Sequence, residues 1–506
     1  MNFPTGARVA CEARRRSHLA LASVGVVLLL VNRGVGDHEW ELTPEILERI
    51  DEPYRKWDRI DSPGVVVGIV RQGELIYSRG FGVANLEQAK PLRADSVLYI
   101  ASMSKQFTAA AAVLMALDGV IELDDDVRRW IPELPLYGRP VTIRHLLHHT
   151  SGLRDYGALR LLSGQTFNEY FDNDETVALL ARQQGTNFPA GQQHEYCNSN
   201  YVLLAEVVER AAGASLQSFC DERLFKPLGM SRTRWGDAPR STTERRVSSY
   251  LSVDASPGER GAFLRRDIEF AGRGDGNLWT TVEDLARWDR VWQRDVPLSR
   301  RGLGRHFIRL MLTRGQLDGG EELDYACGLL HGAHAGLATV SHSGGMFGYQ
   351  CELLRIPDAG LSVIVLANVS SCDAHTEARR IASLVLKLPV ARPNDDRNGG
   401  DISVAVADEA DAKPTSDVDD VSTRRFAGRY ECSELDAPWS VTVDGSDLIA
   451  SVGTLRIRFQ PVEENRFHHR EFDFDLHFEV NDAGQIVRFL ATAPGVVGVK
   501  FRPSGS

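Results

Sequence analysis

Strand-like segments stand at the two ends of a long helix-rich stretch, and this arrangement constrains the fold more than any other feature. Near the start, Val65 to Val70 reads as a strand, Gln72-Gly73 as a turn and Leu75 to Ser78 as the return strand. Near the far end, residues 337–343, 350–356 and 361–368 read as three more strands. Between them the apolar spacing is helical: about 102 to 117 with Gly119 as its stop, Thr142 to His149, Ala178 to Gln184, and Tyr201 to Ala212. Thr280-Thr281-Val282-Glu283 reads as a capping box that opens a helix through Trp292, and a last helix runs over 374–388. Strands flanking helices in this way predict an α+β domain: one antiparallel sheet with a helical insertion.

Composition changes beyond residue 390. Residues 391–420 carry nine acidic and three basic residues with Pro393, Gly399, Gly400 and Pro414. Such a stretch buries little apolar surface and reads as a flexible acidic linker, 391–424. From Phe426 the pattern is all strand. Phe472, Phe474, Leu476, Phe478 and Val480 alternate, and Asp444-Gly445 and Asp482-Ala483-Gly484 mark turns. Residues 425–506 therefore predict a small all-β barrel or sandwich after a main domain over 37–390.

At the N-terminus, Arg8, Arg14, Arg15 and Arg16 precede the apolar run Leu19 to Val31. That run suits a signal-peptide core and is short for a membrane span. Residues 1–36 thus read as a leader, cleaved near Gly34-Val35-Gly36 or retained as an anchor, and imply export to a periplasmic or extracellular setting. The net charge of −11 argues against a nucleic-acid partner, whose phosphates need a basic surface. The seven Cys are scattered with no C-x-x-C pair, so neither a zinc site nor a particular disulfide is expected.

Three short motifs carry chemistry. Ser102-Met103-Ser104-Lys105 places a hydroxyl and an amine three residues apart, on one face of a helix. Only seven of the 58 basic residues are Lys, and only Lys105 has Ser three residues before it. A serine hydroxyl is a weak nucleophile until a neighbour takes its proton, and a Lys among apolar residues loses charge stabilisation. Tyr196-Cys197-Asn198 is the single Tyr-x-Asn. Its phenol ionises more easily beside an ammonium, and its amide can bind both Lys and substrate. His342-Ser343-Gly344 follows the apolar stretch Leu337 to Val340, where a strand edge can pair with an extended substrate and a backbone N–H can hold an oxyanion. His334-Ala335-Gly336 competes for this third role. His342 is preferred because Gly344-Gly345 and Gly348-Tyr349 follow it at a hairpin start. His145, His148 and His149 lack a carboxylate at helical spacing, so capping and packing are preferred to metal binding. His468-His469 would point to opposite faces of a strand, a structural pair.

In order and spacing the three motifs resemble the serine β-lactamase and penicillin-binding-protein superfamily, and more closely its class C β-lactamase, D-peptidase and esterase branch. The segments 142–153, Phe188-Pro189-Ala190-Gly191, Lys226-Pro227-Leu228-Gly229-Met230 and 276–285 are similar to that branch too. The tail resembles, more weakly, the lipocalin-like β-domain appended to such hydrolases. The resemblance implies that Ser102 is acylated, Lys105 assists its deprotonation, and Tyr196 acts as general base and then proton donor. It also implies that Asn198 orients Lys105 and substrate, and that the N–H groups of Ser102 and Gly345 hold the oxyanion. No cofactor or metal is implied.

Two departures matter. The family's third motif usually begins with Lys, which helps bind a substrate carboxylate, whereas here His342 holds that position. This shifts the expected activity toward an esterase or a D-aminopeptidase, away from a true β-lactamase or a D-alanyl-D-alanine carboxypeptidase. Cys197 replaces a commoner Ser, with little effect expected. A catalytically silent protein that binds cell-wall peptide is the reading from another class. It is disfavoured because Ser102, Lys105, Tyr196 and Asn198 are all present.

Overall fold

A computed structural model describes residues 41–236, 246–253, 262–292, 303–389 and 423–505. The leader 1–36 and nearly all of the acidic stretch 391–424 lie outside the described residues. The two strand groups close into one sheet. Its order is Leu330–His334, Leu337–Met346, Tyr349–Ile356, Leu361–Ala367, Val65–Arg71 and Glu74–Phe81. Every neighbouring pair is antiparallel. The chain ends meet where Val65 lies opposite Ala367, Val67 opposite Val365 and Ile69 opposite Val363. Both faces of the sheet are covered, which explains the unbroken apolar runs. Val65, Val67 and Ile69 join a core with Ile46 and Ile50 of the helix Pro44–Asp51 and Ile381 and Val385 of the helix Ala374–Leu386. Val66 and Val70 point the other way, as alternation demands, into a core with Phe107, Val282 and Leu285.

The inserted helices start where capping chemistry puts them. The predicted helix over 178–184 is instead Asn173–Ala181, because Asp172 accepts from the Glu175 N–H and adds an acidic first turn that apolar spacing does not reveal. The expected capping box is replaced by a single cap one residue on. Thr281 is the N-cap and accepts from Asp284 N, while Thr280 ends a strand, Leu278–Thr280. That strand lies between Leu98–Tyr99 and Arg234–Trp235 in a small sheet that the sequence pattern does not reveal. The helix expected from 102 begins as the 3-10 turn Ala101–Ser104 and becomes α-helical over Lys105–Leu117.

A buried polar network ties the main sheet to that helix. Arg355 Nε donates to Asp289 Oδ1 at 2.9 Å and Arg355 Nη2 to Gln106 Oε1 at 3.3 Å. Ser362 Oγ donates to the same Asp289 oxygen, and Trp288 Nε1 donates to Gln106 Oε1 at 2.7 Å. Gln106, beside Lys105, is thereby bonded to the strand Tyr349–Ile356 and to the helix Val282–Asp289, whose Asp289 in turn holds the strand Leu361–Ala367.

The C-terminal strands close into an eight-stranded antiparallel barrel, Gly428–Glu431 through Val496–Pro503. Closure pairs Tyr430 with Pro503 and Glu431 with Arg502. The predicted turns at Asp444-Gly445 and 482–484 join consecutive strands. Inward positions carry large rings: Tyr430, Trp439, Phe459, Phe478, Phe489 and Phe501 are all buried. Among the described residues no helix is long and apolar enough to cross a membrane.

Breaking the Asp289–Arg355 pair leaves a guanidinium buried without its counter-charge. Asp289→Ala is expected to lower unfolding free energy by about 3–5 kcal/mol, read as a lowered urea midpoint at unchanged m-value.

Candidate active site

The three motifs converge at the start of the helix Lys105–Leu117. Ser102 sits in the 3-10 turn just before it, and Ala101 takes a left-handed conformation, φ 42°, immediately ahead of Ser102. The turn is pinned to the small sheet: Ile100 N donates to Leu278 O at 3.0 Å, and Ser104 Oγ accepts from Leu278 N at 3.2 Å. Held this way, a strained backbone can persist beside the Ser102 hydroxyl.

Lys105 is fully buried, among residues such as Ala109, Ala110 and Val113 that are also fully buried. Burying an ammonium is costly unless oxygen atoms replace its water. Three do. Lys105 Nζ donates to Ser102 Oγ at 3.1 Å, to Asn198 Oδ1 at 2.8 Å and to the Asp275 carbonyl oxygen at 2.8 Å. Three acceptors match the three N–H bonds of an ammonium.

Tyr196 and Asn198 arrive together at the start of the helix Asn198–Ala212. Lys105 Nζ lies 4.8 Å from the Tyr196 ring centroid, and the Tyr196 hydroxyl is buried. Between the two, Cys197 Sγ donates to Leu153 O at 3.2 Å, the hydrogen bond a serine would make there. His149 supports the same segment. Its Nδ1 accepts from Cys197 N at 3.1 Å, and its ring packs on Tyr196 with centroids 4.4 Å apart. Burial pushes the His149 pKa well below 6.5, and the nearby Lys105 charge adds to the shift, so the ring is neutral.

His342 stands on the strand Leu337–Met346 with its ring centroid 6.3 Å from that of Tyr196. Its Nδ1 lies 2.6 Å from Ser343 O and its Nε2 3.0 Å from the Tyr325 hydroxyl. A proton on Nδ1 satisfies the carbonyl and leaves Nε2 to accept from Tyr325. Burial first, and the Lys105 charge second, push its pKa down to about 4, so His342 is neutral at pH 7. Gly344, two residues on, runs against the turn that carries Ser102. A Cβ there would lie 2.9 Å from Ser102 N and 2.5 Å from Ile100 O, so only glycine allows the approach. Gly345 follows in the strand, opposite Gln350. The rival, His334, is buried at the far end of that strand pair against Ser383 Oγ, 2.8 Å from its Nε2.

The remaining histidines have local partners. His145 completes a capping box with Thr142, and His148 Nε2 lies 3.8 Å from Cys327 Sγ. His468 meets Asp475, and His469 lies by the Arg458 carbonyl. Among the described residues no cluster of three or more His, Cys, Asp or Glu is placed to hold a metal. The six described cysteines, 197, 220, 327, 351, 372 and 432, are free and buried.

Sequence reasoning missed four residues of the site. Asp155 Oδ2 accepts from Asn198 N at 2.7 Å, and the Tyr156 hydroxyl donates to Asp275 Oδ2 at 3.0 Å. Burial raises the pKa of both Asp155 and Asp275, while the Lys105 charge opposes the rise. Tyr325 reaches His342 across 17 residues. These partners are remote in sequence and follow no spacing rule. Only the position of Asp155 just after Thr150-Ser151-Gly152 offered a hint.

The beta-lactamase family model matches residues 51–386. Penicillin-binding protein 4* of Bacillus subtilis is 27% identical over 420 residues, covering 81% of this chain and 88% of that protein. A D-aminopeptidase of Cereibacter sphaeroides is 27% identical over 456 residues, covering 84% and 83%. The solved octameric penicillin-binding protein homologue from Pyrococcus abyssi shares the fold, with TM-score 0.58 and 22% identity, covering 90% of this chain and 98% of that one.

His342 and His148 are both held near a pKa of about 4 by burial, against about 6.5 unfolded. Each contributes stability above pH about 6.5 that is lost as pH falls toward 4, up to about 3 kcal/mol apiece. Urea unfolding should show stability dropping from pH 7 to pH 5. His342→Gln, which cannot titrate, should show a shallower drop over the same interval.

Proposed function

As a member of the beta-lactamase family, the chain is a serine hydrolase that works through an acyl-enzyme on an ester or a D-amino-acid amide, and we propose that Ser102 is its nucleophile. The observation that carries the assignment is the position of the Lys105 ammonium, within hydrogen-bond reach of both Ser102 Oγ and Asn198 Oδ1 and 4.8 Å from the Tyr196 ring. Such a charge favours the phenolate form of Tyr196. Tyr196 then takes the Ser102 proton as Oγ bonds to the substrate carbonyl carbon, assisted by Lys105. The N–H groups of Ser102 and Gly345 receive the oxyanion. Tyr196 passes the proton to the leaving alcohol or amine as the old bond breaks. Water then attacks the acyl carbon, and the serine hydroxyl is restored.

Substrate preference follows from charge. Where β-lactamases and carboxypeptidases of this superfamily usually carry Lys in the third motif, His342 is neutral. A substrate carboxylate therefore finds weak recognition there. Esters and D-residue amides with a free amino end suit the site better, in accord with relatives named D-aminopeptidase. The substrate is a small molecule or peptide, and the acidic chain has no nucleic-acid role. The N-terminal segment reads as an export leader, and the closed barrel as a lipocalin-like module that supports the hydrolase.

A fluorophosphonate probe should label wild-type protein at Ser102 and leave Ser102→Ala unlabelled. Tyr196→Phe should lower kcat about 10²- to 10⁴-fold. D-alanyl p-nitroanilide and p-nitrophenyl esters should be turned over, nitrocefin slowly if at all. Rapid nitrocefin hydrolysis would overturn the reading of His342, and an unlabelled folded wild type would favour a silent peptide-binding protein.

A further inference from the structure

The helix Tyr156–Leu162 is gripped by the barrel at both ends. At its start, Asp155 N donates to Gly495 O at 2.7 Å, in the turn joining the last two barrel strands. Asn187 clasps the same turn: its Nδ2 donates to Gly495 O at 3.0 Å and its Oδ1 accepts from Val497 N at 2.9 Å. Arg154 Nη2 donates to Val497 O at 3.0 Å, and Arg154 Nη1 to Glu434 Oε2 at 2.7 Å. That ion pair is almost wholly removed from water, with side-chain exposures of 6% and 4%. At the other end of the helix, Trp439 Nε1 of the barrel donates to Leu162 O at 2.8 Å. Tyr156, Leu159 and Leu162 share one continuous core with Trp439 and Val496.

The first two residues of this assembly also hold the catalytic groups. Asp155 Oδ1 caps the helix by accepting from Gly157 N at 2.8 Å, and its Oδ2 accepts from Asn198 N at 2.7 Å. Tyr156 N donates to Ser199 Oγ at 2.8 Å, and the Tyr156 hydroxyl reaches Asp275 Oδ2. Asn198 Oδ1 and Asp275 O are two of the three acceptors around Lys105 Nζ. The barrel turn is thus separated from the Lys105 ammonium by two residues in series, Asp155 and Asn198, each touched through both backbone N–H and side chain.

Resting on the assignment of Ser102 and Lys105 above, we propose that the Pro494-Gly495 turn of the barrel is a positioning element of the active site. It acts through Asp155 and Tyr156 to hold Asn198 and Asp275 against Lys105. The barrel is then part of the hydrolase's working geometry. Its influence reaches the acylation step itself, whatever the size of the substrate.

The test uses the full-length enzyme. At Gly495, φ is 78° and a Cβ would stand 2.8 Å from Asp155 Cβ, so Gly495→Val displaces the contact. Asn187→Ala removes both of its bonds to the turn without entering the barrel, and also its Nδ2 bond to Glu195 Oε2, so Glu195→Gln, which leaves the turn untouched, is measured beside it and should keep the wild-type labelling rate. For each variant the rate of fluorophosphonate labelling at Ser102, kcat and KM for p-nitrophenyl acetate, the same constants for D-alanyl p-nitroanilide, and the thermal midpoint are measured. The expected result is a fall of about 10- to 100-fold in labelling rate and in kcat for both substrates, as small misplacement of reacting groups produces. KM for the acetate should stay within about twofold, the mark of an interaction spent on the transition state. A labelling rate equal to wild type at 20 °C, whatever the thermal midpoint does, would overturn the proposal and leave the barrel a stabilising appendage. A change confined to KM for the larger substrate would overturn it too, in favour of a turn that screens the cleft. Should Gly495→Val fail to fold, Asn187→Ala decides against the Glu195→Gln control: a loss equal in both would overturn the proposal. Absence of labelling in the wild type itself would defeat the hydrolase assignment, and with it this inference.

Discussion

One ammonium buried from solvent dictates the architecture. Lys105 is fully buried, so each of its N–H bonds must meet an oxygen of the protein. The three oxygens come from three separate places: Ser102 one turn back, Asn198 at the head of a second long helix, and the Asp275 carbonyl in the loop ahead of Leu278–Thr280. The fold can be read as the means of holding these together. The Arg355–Asp289–Gln106 network fixes the helix to the sheet, and Thr108 Oγ1 donates to Gly274 O at 2.7 Å beside Asp275. Satisfying the charge and bringing Ser102, Lys105 and Asn198 together are a single structural task.

The same charge shapes what lies around it. His149 and His342 both have burial and the Lys105 charge as the causes that most depress their pKa. Two imidazoles are therefore kept neutral beside the Tyr196 ring. Neutral rings pack and accept hydrogen bonds without adding a second positive charge beside Lys105, which leaves the ammonium as the charge nearest the Tyr196 ring among the contacts described. A second cation at the His342 position would strengthen carboxylate binding but would face the same desolvation with fewer acceptors. The electrostatics thus set the charge that the His342 position can carry.

What was legible in the sequence was whatever depends on side-chain type and period. The scarcity of Lys made Ser102 and Lys105 conspicuous, and Tyr196 and Asn198 followed from a motif that occurs once. The strands Val65–Arg71 and Leu361–Ala367 were visible as apolar runs, and the barrel as alternation around Phe474, Leu476 and Phe478. What escaped notice acts through the backbone or across long separations. Asp275 contributes a carbonyl oxygen that any residue type could supply, and Asp155 serves a backbone N–H 43 residues away. Helix starts shifted at Asp172 and Thr281 because a single capping hydrogen bond outweighs the apolar spacing of the following turn.

The barrel has the qualities of a support. Its interior is occupied by rings in direct contact, with Phe489 and Phe501 stacked at 4.6 Å and Phe426 and Phe478 at 4.5 Å. Close-packed interiors transmit displacement with little compression. Its junction with the helical region is specific as well as apolar. A buried ion pair such as Arg154–Glu434 gives little net stability once desolvation is counted, yet it severely penalises any docking that separates the two charges. Glu434 Oε2 also accepts from Gln184 N, and Gln183 Oε1 accepts from Arg154, so both partners are held by further bonds. A junction that tolerates one seating, joined to a module that does not deform, can hold Asp155 to the tolerance that Asn198 and Lys105 require. Apolar contact alone would not select that seating.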